Sequence, residues 1–156
     1  MGRRRASERI FALATLLAVP LALGMEVALR RFVLPPEFET LRAWLNEPAT
    51  YLAWAVAALA AGGALAAERI FAVMARRQLA RLGDPASVPN SRAAAAKLGA
   101  FILASSVVQL PALVATLTYT LGASPIPVAA AVACSTLGVA RQAFELEKDP
   151  SRGKTR

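Results

Sequence analysis

Four long apolar segments alternate with shorter polar segments along this chain. The apolar segments cover about 10–29, 50–70, 98–121 and 126–144, lengths close to that of a membrane crossing. The third has no charged residue, and as a helix it would extend ~36 Å, more than the ~30 Å hydrocarbon core of a bilayer. We therefore expect an all-α fold, a polytopic membrane helix bundle with four transmembrane helices in one domain over 10–144.

The polar segment between the first two apolar runs carries a helical pattern of its own. The Pro35–Pro36 pair favours a helix start, and Pro48 favours a helix end. Between them, Phe38, Leu41 and Leu45 recur on one helical face. The pattern predicts a short outer interfacial helix that lies on the membrane surface.

Polar residues also occupy both ends of the chain. Residues 1–9 form a basic leader and 145–156 a charged tail, and we expect both in the cytoplasm. The leader, the apolar run and the small residues around Gly24 also fit a secretory signal peptide. Apolar residues continue from Gly24 to Leu29, which favours a retained first helix, and cleavage of 1–24 stays an open alternative.

Basic residues are distributed unevenly among the polar segments. Lys and Arg number four in 1–9, six in 68–97 and five from Arg141 onward, but three in 30–49 and none in 122–127. Because basic loops stay in the cytoplasm, both termini and the central connection are expected there, in a multi-pass inner (plasma) membrane protein. Four aromatic residues fall at the opposite interface, where aromatic belts occur: Trp44, Tyr51, Trp54 and Tyr119.

Composition narrows the possible functions. Apolar residues make up 56% of the 156 residues, the chain has no His, and its single Cys134 lies in an apolar run. Neither an internal disulfide nor the usual imidazole or thiolate metal site is expected, and without paired carboxylates we expect no enzyme, metal or cofactor. The net charge is +8, and the basic residues flank the apolar runs. The expected partner is therefore a bilayer with anionic headgroups and not nucleic acid.

The polar residues of the third segment gather on one side of a helix. At 100° per residue, Ser105, Gln109, Thr116 and Thr120 share a narrow arc, with Pro111 near the midpoint. Gln109 would hydrogen-bond a neighbouring helix and Pro111 would kink the segment, which is the preferred interpretation. The alternative is a ligand or ion site at the middle of the membrane.

The stretch SSVVQLPALVATLTYTLG, Ser105 to Gly122, resembles the third helix of small bacterial four-helix membrane proteins. That helix is in turn similar to the ion-binding helix of the rotary ATP synthase proteolipids, in which a carboxylate stands at mid-helix. The matching position here is Gln109. Since an amide cannot carry a proton between compartments, the resemblance implies that this chain does not transport protons.

Charged residues near the ends of the segments have simpler interpretations. Glu26 lies inside the first segment, and Arg30 follows at i+4, so the two are predicted to form an ion pair. Six basic residues of the central connection are expected to contact lipid headgroups: Arg69, Arg76, Arg77, Arg81, Arg92 and Lys97.

Small residues recur at intervals of four in the second segment, a spacing that lets helix backbones approach closely in lipid. They form two lines, Ala53, Ala57 and Ala61, and Ala58, Gly62 and Ala66. The expected function is therefore non-enzymatic: helix packing with another copy or with another membrane protein of the bacterial inner membrane. The alternatives are a small-molecule or ion transport component that uses the polar face of the third helix, and a scaffold that holds anionic lipids through the basic connection.

The orientation predicts the outcome of reporter fusions. A reporter that works in the cytoplasm should be active after residue 85 and at the C-terminus, and one that works outside should be active at residue 40. A cytoplasmic residue 40 would contradict the four-span arrangement. Mass spectrometry of the mature protein provides the control, because an intact 1–24 segment excludes cleavage of a signal peptide.

Overall fold

The structure, a computed structural model, describes residues 2–83 and 89–147, with side chains except at 2–9 and 90. Within these ranges the chain is helical apart from short turns and contains no strand. Every helix contains a stretch long and apolar enough to cross a membrane, so the predicted all-α architecture with four membrane-length helices is confirmed. The helices are α1 (Gly2–Phe32), α2 (Phe38–Ala80), α3 (Asn90–Thr120) and α4 (Pro125–Glu147).

The ends of the chain are described only in part. The backbone of α1 begins at Gly2 and so includes most of the expected leader 1–9. The backbone of α4 continues to Glu147, three residues into the expected tail. The rest of the tail, 148–156, lies outside the described residues, as does 84–88 of the central connection.

The segment expected to form a separate outer helix belongs instead to α2. This helix continues through Pro48 and has 43 residues, so it extends ~65 Å, well beyond a bilayer core. Pro48 has no N–H to donate to the carbonyl of Trp44, four residues earlier, which is why the sequence favoured a break there. The part of α2 before Pro48 is held by hydrogen bonds to the α3–α4 turn, and these tertiary contacts outweigh the local signal.

Small side chains form the contact of α2 with α3 and α4. The buried alanines of α2 recur at intervals of three or four residues, as expected for one face of an α-helix: Ala49, Ala53, Ala57, Ala60, Ala64 and Ala67. Of the two predicted lines, the one with Ala53 and Ala57 therefore faces the core. The other faces outward, with Ala58 and Gly62 exposed.

Three helices approach each other closely at Gly138 of α4. A Cβ atom there would lie 2.7 Å from Cγ1 of Val108 in α3 and 3.0 Å from Cα of Ala64 in α2. No side chain larger than hydrogen fits without movement of a neighbour. Gly138 thus fixes the spacing of α2, α3 and α4 at one level of the bundle.

The first helix packs more loosely than the other three. Only 6% of the most apolar 18-residue stretch of α1 is buried, against 33–44% of the corresponding stretches of α2, α3 and α4. Val19 is its one fully buried described side chain, and α1 approaches α3 and α4 closely but not α2. Large apolar residues such as Leu21 and Met25 remain exposed, as expected for a helix at the edge of a membrane bundle.

The close approach at Gly138 predicts opposite effects for two alanine substitutions. Gly138→Ala should lower the free energy of unfolding by about 1–3 kcal/mol, because the added methyl group overpacks the contact. The matched control is Gly99→Ala, where the new Cβ meets nothing within 4 Å. Because alanine favours a helix over glycine, this control should be neutral or stabilising by up to about 1 kcal/mol.

Denaturation of both variants in the same mild detergent measures the difference. Equal shifts in the same direction would contradict the packing at Gly138.

Candidate functional site

The polar face of α3 connects this helix to α1. The side-chain amide of Gln109, 8% exposed, donates a hydrogen bond from Nε2 to the carbonyl oxygen of Thr15. The hydroxyl of Thr15 donates to the Phe11 carbonyl oxygen within α1. The Gln109 amide therefore bridges two helices, as the preferred interpretation of the sequence expected.

A second contact between α1 and α3 lies near the other end of the polar face. The hydroxyl of Thr120 donates to Oε2 of Glu26, and the guanidinium of Arg30 lies 4.6 Å from the centre of the Tyr119 ring. Both charged residues of the predicted ion pair thus have partners on α3, and no ion pair joins Glu26 and Arg30 within the described part of the chain. Each contact ties α1 to α3, which a local i,i+4 pair would not do.

The remaining residues of the face act within α3 or beside its proline. Thr116 donates to the Leu113 carbonyl oxygen at 2.7 Å, within its own helix. Pro111 is half-buried inside α3. Close to it, Ser135 of α4 donates to the Val108 carbonyl oxygen at 3.2 Å and so joins α4 to α3.

A buried junction of α2, α3 and α4 was not predicted from the sequence. The side chain of Gln142 is fully buried, and its Nε2 donates to the Ala67 carbonyl oxygen at 3.1 Å. Its Oε1 accepts a hydrogen bond from Ser105 at 3.1 Å. Gln142 lies one helical turn beyond Gly138 and shares a face with Ser135, a pattern from which its burial could have been inferred.

The N-terminal part of α2 docks on the turn between α3 and α4. The Nε atom of Arg42 donates to the Thr120 carbonyl oxygen at 3.1 Å, and the Asn46 amide donates to the Gly122 carbonyl oxygen at 2.7 Å. The backbone N–H of Ser124 donates to the hydroxyl of Thr50 at 2.9 Å. These bonds join residues more than 70 positions apart and attach α2 to the turn on both sides of Pro48.

Gly122 is required at this docking site. Its φ angle is +109°, which favours glycine, and an added Cβ would lie 2.6 Å from the Arg42 carbonyl oxygen. The turn can therefore contact α2 only with a hydrogen atom at this position.

The predicted lipid-contact residues lie at the opposite end of α2 and at the start of α3. Lys97 is half-buried, and the other five are exposed: Arg69, Arg76, Arg77, Arg81 and Arg92. Exposure leaves them accessible to headgroups. Among the residues described, no group of three or more His, Cys, Asp or Glu side chains is placed to hold a metal ion.

No protein-family model, curated protein or solved structure matches this chain. The resemblance of α3 to the proteolipid ion-binding helix accordingly stays a prediction.

The two buried glutamines predict different losses of stability when each becomes leucine. Gln109→Leu removes one bond at the loosely packed α1, so the free energy of unfolding should fall by no more than ~2 kcal/mol. Gln142→Leu removes two bonds in a fully packed site, and we expect a larger loss, about 2–4 kcal/mol. Denaturation in mild detergent provides both values, and a greater loss for Gln109→Leu would contradict this ranking.

Proposed function

We propose that this protein is a multi-pass protein of the bacterial inner membrane with both termini in the cytoplasm. It acts, without catalysing a reaction, by packing its helices against a second copy of itself or against another membrane protein. The observation that carries the proposal is the outward face of α2, where Ala58 and Gly62 are exposed.

The outward face of α2 has the shape that helix association in lipid requires. An added Cβ at Gly62 meets nothing within 4 Å, so the bundle itself leaves this surface open. The exposed side chains of Leu59 and Leu65 stand beside the small residues. A helix that faces only lipid gains nothing from small residues, whereas a partner helix approaches closely over them.

The distribution of exposed aromatic residues supports the proposed orientation. Trp44, Tyr51 and Trp54 are all more than half exposed on the part of α2 nearest the α3–α4 turn. Trp and Tyr are enriched where membrane meets water, and the basic residues that retain loops in the cytoplasm lie mainly at the other end.

Transport through the polar face of α3 is the second candidate. The face contains the intramembrane polar groups that a transport site would need. Against this, Ser105, Gln109 and Thr120 each donate to a group on another helix, as packing contacts would. Packing is therefore the preferred function of these residues too.

The open face predicts the behaviour of a crosslinking experiment in native membranes. A photoreactive residue at position 65 of α2 should crosslink to one defined protein, either a second copy or another membrane protein. Gly62→Leu should remove most of this product, because the added side chain separates the two helices. The protein level should stay normal, since the leucine begins in open space.

The matched control is Ala133→Leu, a similar enlargement at an exposed position of α4. It should leave the crosslink unchanged. Absence of any defined crosslink, or equal loss in both variants, would contradict the proposal.

A further inference from the structure

Three arginines converge at the outer end of the bundle, where α1 ends and α2 begins. Arg30, Arg31 and Arg42 are the basic residues of segment 30–49. Arg30 and Arg31 line one cavity, and Arg30 and Arg42 line a second that adjoins it. The cavities measure about 430 and 350 Å³ and share Arg30. Both are open to the surface and not enclosed.

The guanidinium of Arg42 is fixed in place and incompletely paired. The residue is 3% exposed, its Nε donates to Thr120, and its Nη1 donates to Oε1 of Glu39 at 2.8 Å. Its Nη2 atom is buried and has no hydrogen-bond partner. A buried donor without a partner is costly, and more so when the group is charged.

The charges around the cavities leave an excess of positive charge. The one acid among the lining residues is Glu39, and its side chain is 68% exposed, so water weakens its compensation of Arg42. Arg30 is stacked on Tyr119 and lines both cavities. The two cavities together therefore favour an anion.

We propose that this outer arginine site, formed by Arg30, Arg31 and Arg42, binds a phosphate group. Guanidinium groups donate in a planar fork that matches phosphate oxygens, and arginine is preferred where phosphate is recognised. A phosphate presents more oxygens than a carboxylate, and so it can engage several guanidinium groups at once. Because Nη2 of Arg42 is buried, a phosphate oxygen would accept from it only after a small shift of the guanidinium or of a neighbouring side chain.

The phosphate group can belong to a phospholipid headgroup or to a free anion, since both reach the end of a membrane bundle. The site is separate from the basic inner connection and from the open face of α2. The proposal accordingly goes beyond the packing function and stands without it.

The test uses the full chain in a mild nonionic detergent with two probes. Inorganic phosphate is titrated by calorimetry at constant ionic strength, with chloride as the replaced anion. Short-chain phosphatidylglycerol is compared with short-chain phosphatidylcholine by native mass spectrometry. Saturable binding of phosphate itself identifies the free anion, and selective binding of phosphatidylglycerol without phosphate binding identifies the headgroup.

Variants connect the binding to the site. Arg42→Gln should weaken binding of the responding probe by at least about tenfold, because a charge-assisted bond is lost. Arg42 also attaches α2 to Thr120, so its loss could disturb the fold. Arg30→Gln is therefore a second variant, which leaves the Arg42–Thr120 bond in place and should weaken binding severalfold. The control Arg69→Gln removes an exposed arginine at the other end of α2 and should change little.

Two results would overturn the proposal. One is the absence of binding by both probes to the unmodified chain. The other is equal binding by the Arg30→Gln, Arg42→Gln and Arg69→Gln variants, which would identify general attraction to a basic protein and no specific site.

Discussion

The close approach of α2, α3 and α4 over small residues is the constraint on which the rest of the bundle depends. Lipid chains are as apolar as leucine, so helices in a membrane associate through tight packing and hydrogen bonds. Gly138 and Ala64 bring the backbones close enough for this packing. The same closeness lets Gln142 reach Ser105 and the backbone of α2, since longer distances could not be spanned by one amide.

The first helix is attached in a different way. Its described side chains, 10–32, include no comparable line of small buried residues. Its contacts with α3 include hydrogen bonds to Thr15 and Glu26. Interhelical bonds of this kind contribute only ~0.6–2 kcal/mol each. The structure therefore combines a tightly packed unit of three helices with a fourth whose position depends more on a few polar contacts.

Local patterns predicted the four helices but not the contacts between distant residues. Length and lack of charge were sufficient to find the membrane-length segments, because both properties can be read from one segment without knowing its partners. Pro48 misled the prediction, since the bonds from Arg42 and Asn46 that stabilise α2 around it end 78 and 76 residues later. Arg42 and Gln142 also have distant partners: Thr120 for Arg42, and Ser105 and Ala67 for Gln142.

Thr120 connects α1 and α2, the two helices that do not approach each other closely. Its hydroxyl donates to Glu26 of α1, and its carbonyl oxygen accepts from Arg42 of α2. A shift of the Arg42 guanidinium must therefore stretch its bond to Thr120 or move the end of α3, and movement there reaches Glu26. Thr120 thus couples the position of α1 to that of the Arg42 guanidinium.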